Sequence, residues 1–188
     1  RNYIIKNESQ IASNYLANFA SLMRKILDAS QQSKISLQEE IEMLKLYLDL
    51  ELMRFSNRFT YSFHIDEAII HEDFDIPSMV IQPFVENAIW HGLLNKESDA
   101  HLTINFKEIV DNDYEILCEV IDNGIGRKQS QQFKNNLKKH QSKGIDITKE
   151  RLKRLSKIPQ NEPILIIDLE DEDGNAKGTM VQIHLPIL

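Results

Sequence analysis

From Phe59 to Ile65 the apolar side chains Phe59, Tyr61, Phe63 and Ile65 alternate with Thr60, Ser62 and His64. A period of two puts them on one face of a strand. Before this point the rhythm is helical. Ile11, Tyr15, Phe19, Leu22 and Ile26 recur at spacings of four, four, three and four. They predict a first helix, with Ser9 as its expected cap. The polar run 28–33 breaks it. Ser36-Leu37-Gln38-Glu39 then reads as a capping box, and Leu37, Ile41, Leu44, Leu48, Leu52 and Phe55 carry a second helical stripe.

Further along, Val80, Ile81, Phe84, Val85, Ala88 and Ile89 predict the buried side of a third helix. Residues 102–106 and 114–121 alternate again, with a turn expected at Asp111-Asn112-Asp113, and read as a hairpin. Residues 127–143 are polar and predict no regular element. A short helix is expected over 148–157, with Leu152 and Leu155 inward. Strands over 164–169 and 180–185 flank a turn at Asp173-Gly174-Asn175. The sum is an α+β two-layer sandwich, a mostly antiparallel sheet with helices on one face. A helical hairpin, 1–56, precedes the sheet-bearing domain, 57–188.

Composition narrows this picture. The chain has 188 residues, 41% of them hydrophobic, enough for a sizeable core. A net charge of −7 argues against general nucleic-acid binding. The lone cysteine, Cys118, sits in an apolar alternating run and predicts a buried thiol. No apolar run approaches the ~18 residues of a membrane span. The chain starts at Arg1 rather than Met, so a fragment of a longer protein is expected, with any membrane anchor in the upstream part.

The candidate chemistry lies in four places. Pro83 to Gly92 sets Glu86, Asn87 and His91 in an apolar helical run. Asn87 and His91, four apart, share a face of a regular helix. A carboxamide oxygen suits a hard cation such as a phosphate-bound magnesium. Asp122-Asn123-Gly124-Ile125-Gly126 follows a strand. A strand-end aspartate can accept from an exocyclic amine such as that of adenine, and the glycines let backbone approach a ligand. On spacing alone an Asx-type turn, with glycines for geometry, is the better reading. Lys143-Gly144 precedes an expected helix start near 145–148, where free N–H groups, with Thr148 and Lys149, would suit phosphate. Gly178-Thr179 opens the last strand. Between these glycines, 127–143 holds Arg127, Lys128, Lys134, Lys138, Lys139 and Lys143 and no acid, a candidate basic lid. There is no Gly-x-Ser-x-Gly, no His-Glu-x-x-His and no cysteine pair for zinc.

These four elements, in this order, resemble the ATP-binding Bergerat fold of the histidine kinase, gyrase, chaperone and mismatch-repair superfamily (GHKL). Glu86-Asn87 matches the asparagine box, Asp122-x-Gly124-x-Gly126 the first glycine box, Gly144 the second and Gly178-Thr179 the last. Within it, the helix from Leu37-Gln38-Glu39-Glu40-Ile41-Glu42 to the run Leu48 to Phe55, followed by Ile76-Pro77 and Ile81-Gln82-Pro83-Phe84-Val85-Glu86-Asn87-Ala88, is similar to the LytS/YehU-type sensor histidine kinases. The likeness covers nearly the whole chain.

The resemblance implies ATP and Mg²⁺ as cofactors. Asn87 would hold Mg²⁺, and Glu86 would act as base or water-positioning carboxylate. Asp122 would bond the adenine amine. His91, Lys143, Gly144, Thr148, Gly178 and Thr179 would complete the nucleotide site. It further implies transfer of the γ-phosphoryl group to a histidine and then to the aspartate of a response regulator. It implies a homodimer through the N-terminal helices, in the cytoplasmic part of a membrane-bound sensor. Two positions depart from the pattern. Asp146 stands where the second glycine box carries another glycine, and no Asn-Pro-His-Phe acceptor segment occurs in 1–188. The fragment is therefore expected not to phosphorylate itself. The alternatives are a non-catalytic nucleotide-sensing or dimerisation module of the same fold, or another GHKL ATPase.

Overall fold

The computed structural model describes residues 2–110, 112, 114–133, 138–156 and 162–188, and for 2–8, 11, 131–133 and 138–143 the backbone alone. The turn expected at 111–113 falls partly outside the described residues. Helix α1 (Asn2–Ser30) runs unbroken through Ser9, which caps nothing. A short strand β1 (Lys34–Ser36) leads into α2 (Leu37–Arg54). Ser36 and Glu39 form the expected capping box: Glu39 N–H donates to Ser36 Oγ at 3.2 Å and Ser36 N–H to Glu39 Oε2 at 3.1 Å. Strand β2 (Phe59–Ile65), the single turn α3 (Glu67–Ile70) and strand β3 (Asp75–Pro77) follow. Then come α4 (Gln82–Asn87), β4 (Ala100–Glu108), β5 (Glu115–Asp122), α5 (Gly126–Phe133), α6 (Lys138–Leu155), β6 (Ile164–Glu170) and β7 (Ala176–Pro186).

Five strands form one sheet in the order β2-β4-β5-β7-β6. The β4–β5 and β6–β7 hairpins are antiparallel as expected, and only β2 runs parallel to its neighbour β4. Ala100, Leu102, Ile104 and Phe106 of β4 face the core with Ile116, Cys118 and Val120 of β5 and Ile183 and Leu185 of β7. Cys118 is fully buried and burial pushes its thiol pKa up, so it serves as a small apolar side chain. The other face is polar over β2 and β4, and carries Leu117, Ile121, Met180, Leu165 and Ile167 further across. There Glu119 accepts from Asn105 Nδ2 and Gln182 Nε2, each at 3.0 Å, and pairs with Lys107 at 2.8 Å. β1 and β3 make a separate two-stranded ribbon that the sequence pattern did not announce.

Leu37, Ile41, Leu44 and Leu48 of α2 belong to the same core as the sheet, while Met43 and Leu50 pack with Leu22 and Ala29 of α1. One core therefore runs across the boundary expected at 56/57. Phe19, expected inside, is instead 47% exposed, in line with exposed Leu16, Met23 and Leu27.

Glu40 of α2 ties the hairpin to the start of α4. Its carboxylate accepts from the backbone N–H of Met79 at 3.2 Å and from that of Ile81. Met79 has φ +57, so this loop is held in a conformation costly for a side chain. Arg151 of α6 closes the same corner, donating to the carbonyls of Ser78 and Ser33, each at 2.7 Å. Burial pushes Glu40 up to about 7, against the N–H bonds and Arg151 that lower it. A carboxyl raised in the folded state contributes full stability below its unfolded value and loses it as pH rises through the folded one. Glu40→Gln should therefore match the wild type near pH 4.5. Near pH 8 it should be the more stable by about 3 kcal/mol, the order of magnitude for such a shift. Urea midpoints at the two pH values check this; an unchanged difference between them would rule it out.

Candidate functional site

Pro83 is the second residue of α4, in the first helical turn, where a missing N–H costs nothing. The apolar set Val80, Ile81, Phe84, Val85, Ala88 and Ile89 is buried as expected. The helix does not stay regular. Ala88–Gly92 forms a π-helical turn in which Leu93 N–H reaches the Ala88 carbonyl, and Leu93–Asn95 tightens to a 3₁₀ turn. The wider turn changes the expected shared face: Asn87 ends α4, while His91 sits a π-turn further on. Both side chains are half-buried, and so is that of Glu86, whose Oε1 accepts from Gln82 Nε2 at 2.8 Å.

The π-turn packs against β5, β7 and α5. This brings the first and last glycine segments to it. Asp122, at the end of β5, is buried and stands opposite Thr179 of β7. Its Oδ1 accepts from Gly124 N–H at 2.9 Å, and the Thr179 N–H also donates to the carboxylate. Burial pushes Asp122 up to about 6, while these N–H groups and Lys96 pull the other way. Ionised, the carboxylate has about four lone-pair sites and keeps acceptor capacity for a ligand amine.

Glycines surround this carboxylate for steric reasons. A Cβ on Gly92 would lie 2.6 Å from Asp122 Oδ1, and one on Gly124 would lie 2.4 Å from the Gly92 backbone. A Cβ on Gly178 would lie 1.9 Å from the Asp122 carbonyl oxygen, and Gly178 has φ +131. Gly126, with φ +76, would meet the Cβ of Ala176 at 2.8 Å. The sequence pattern passed over Gly92 as a site residue. Its signal was only its place at the end of the Glu86-Asn87 run. Gly178 also lies inside β7, just where the β6–β7 register shifts, rather than opening the strand. Asn123 fastens the loop: Oδ1 accepts from His101 N–H, and Nδ2 donates to the Asp99 carbonyl, each at 2.8 Å.

The second glycine segment differs from expectation. α6 begins at Lys138, so Gly144 lies inside a helix and 145–148 offers no free helix start. Apart from Gly144, 138–155 has no helix breaker, and one interior glycine costs only about 1 kcal/mol. Nothing lies within 4 Å of where a Gly144 side chain would begin. Thr148 is buried, and Lys149 pairs with Glu162 at 2.5 Å. Lys143 falls in α6, and its side chain lies outside the described residues, as does that of Lys134. Of the basic segment, Arg127 is held by Asp168 through bonds of 2.7 and 3.0 Å and Lys128 by Glu170 at 2.8 Å. Those two cations anchor α5 to β6. Asp146 is exposed, in a groove lined also by Ser33, Glu150, Arg151 and Arg154.

Thus Glu86, Asn87, His91, Asp122, Gly124, Gly126, Gly178 and Thr179 gather around the π-turn and the ends of β5 and β7. A buried acceptor inside a glycine-lined cradle suits a flat base bearing an exocyclic amine. Among the described residues no group of three or more His, Cys, Asp or Glu side chains is placed to hold a metal. The Asn87 carboxamide oxygen is a neutral donor of the kind a hard cation accepts.

Comparison with known proteins bears on family and fold. The family model described as Histidine kinase matches residues 1–59. The sensor protein LytS of Oceanobacillus iheyensis is 31% identical over 192 residues, covering 97% of this chain and 30% of its own. The sensor histidine kinase YpdA of Escherichia coli is 30% identical over 104 residues, covering 55% of this chain and 18% of its own. The catalytic domain of histidine kinase ThkA, 12% identical, superposes with a TM-score of 0.53 over 81% of this chain and 95% of its own, which is a likeness of fold. The chain spans less than a third of the length of the LytS protein it matches.

Proposed function

The chain belongs to the LytS-type sensor histidine kinases, and from that premise we propose that it is the ATP-binding catalytic portion of a two-component sensor. The observation that carries the reading is the buried Asp122 carboxylate within the Gly92, Gly124 and Gly178 cradle, beside the turn that presents Asn87. Adenine occupies the cradle, its amine donating to Asp122. The triphosphate extends toward Asn87, His91 and Glu86. Gly126 borders the site, and Thr179 sits at its adenine end beside Asp122. Mg²⁺, held by Asn87 and the phosphate oxygens, would neutralise charge on the transferring group. Glu86 would act as the base or water-positioning carboxylate.

The acceptor histidine lies upstream, and the phosphoryl group passes on to a response-regulator aspartate. His101 is a poor acceptor, since its ring nitrogens meet Thr60 Oγ1 at 2.7 Å and Ser62 Oγ at 3.0 Å. His184 sits beside buried Glu115. The exposed α1 row Leu16, Phe19, Met23 and Leu27 suits the same helix of a second parent sensor, whose upstream acceptor would then lie close to this site. The parent sensor holds this portion on the cytoplasmic side of a membrane. No helix among the described residues is itself long and apolar enough to cross one.

Titration calorimetry with Mg²⁺-ATP, run beside light scattering, tests the reading. One nucleotide per chain and two chains per particle are expected. No heat at millimolar ATP and Mg²⁺ would overturn the nucleotide site, and a monomer would overturn the dimer.

A further inference from the structure

The end of α2 is the part of the family-like sequence to which the site above assigns no task. It meets the π-turn of the site at Trp90. Trp90, the chain's single tryptophan, stands in the π-turn between Asn87 and Gly92 and is 38% exposed. Phe55, the C-cap of α2, meets its ring edge-on, with centroids 5.3 Å apart and planes at 85°. The Arg54 guanidinium lies 4.9 Å from the Trp90 ring centre and 5.2 Å from that of Phe55. Burial raises the proton affinity of the Tyr47 hydroxyl, and neighbouring Trp90 pulls it the other way. Arg54 is in turn held by Glu51, Nη1 to Oε1 at 3.4 Å, and Glu51 is buried with its Oε2 lacking a hydrogen-bond partner. Glu86 is near enough for its charge to raise the proton affinity of both Tyr47 and Glu51, though burial is the larger cause for each.

A half-exposed tryptophan gripped from three sides contributes less to core burial than to shape. A π-turn gives up regular helical bonding and needs outside contacts to persist. Regular helix at 88–92 would rotate Gly92 away from Asp122 relative to Asn87.

We propose that Tyr47, Arg54 and Phe55 are positioning residues for the nucleotide site. By holding Trp90 they fix the π-turn, and so the spacing between Asn87 at the metal and phosphate end and Gly92 at the adenine end. The proposal rests on the ATP-site reading. It makes α2, which packs on α1, the element through which a shift of the helical hairpin reaches bound nucleotide without passing through the sheet.

The test compares the wild type with Arg54→Ala, Arg54→Lys and Phe55→Leu, all checked for folding by thermal unfolding. Calorimetry measures Mg²⁺-ATP and, in chelator, metal-free ADP, while the emission of Trp90 reports its environment directly. Cation–π contacts of this kind are worth roughly a fivefold change in affinity. Arg54→Ala and Phe55→Leu should weaken Mg²⁺-ATP by roughly fivefold or more. They should leave metal-free ADP within about twofold and shift Trp90 emission. Arg54→Lys, which keeps a cation over the ring, should recover most of the loss. Equal weakening of both nucleotides, or weakening of neither, would overturn the proposal. Absence of binding by the wild type would instead remove the ATP site on which it stands.

Discussion

Gly178→Ala should lower the unfolding free energy by about 3 kcal/mol or more, a large share of a domain's usual 5–15. Two effects add. The residue has φ +131, a backbone state that side chains rarely adopt. The new Cβ would fall 1.9 Å from the Asp122 carbonyl and 2.8 Å from Asn123 Cα. Neither atom can retreat, because β5 lies between β4 and β7 in the sheet. Two controls separate clash from conformation. Gly174→Ala, φ +78 in the hairpin turn with nothing within 4 Å, should cost only about 1 kcal/mol. Gly144→Ala, in the open interior of α6, should be neutral or stabilising by up to about 1 kcal/mol. Denaturant midpoints rank the three. A mild Gly178→Ala would mean that β7 does not approach the end of β5 this closely.

Asp122→Asn should weaken ATP by roughly ten- to a hundredfold, the range of a buried hydrogen bond to a charged group. The carboxylate serves Gly124 N–H, Thr179 N–H and, in this reading, the adenine amine. An asparagine keeps one oxygen and turns an amide donor toward another donor. GTP, with a carbonyl at that place, should lose far less, so the ATP-to-GTP ratio is the diagnostic quantity. The pH dependence follows from the raised carboxyl, up to about 6 chiefly through burial. Wild-type ATP affinity should fall as pH drops below about 6, because the ligand then has to displace a proton. The unliganded stability moves oppositely. The group stabilises the fold at low pH, and that contribution is lost as pH rises from about 4 through 6. Asp122→Asn should therefore be no less stable than the wild type at pH 8 while binding ATP poorly. Undiminished ATP preference in the variant would take Asp122 out of the adenine site.

Much of the frame was legible in the chain because it is written locally. The Ser36–Glu39 capping box placed the start of α2, since both partners lie within one turn. Alternation located β2, β4 and β5 because each strand buries one face. Asp122 stood at a strand end and remained there. The errors have one physical character. Ser9 looked like a cap, yet α1 passes through it, since a serine inside a helix costs little. Gly144 looked like a boundary, yet α6 continues through it for the same reason.

Other features had no local trace. The π-turn at 88–92 is set by what packs on Trp90 and Gly92, and its residues read as ordinary helix. The glycines at 92, 124 and 178 are each compatible with a simple turn. Their shared purpose appears only when β5, β7 and the π-turn meet and leave no room for a Cβ beside Asp122. The sequence alone determined which segments are helix or strand and which residues carry chemistry, because periodicity and polarity are properties of neighbours in the chain. The tertiary structure alone decided which of them touch, because contacts between segments 30 to 90 residues apart depend on sheet order and helix packing, and no single segment encodes those.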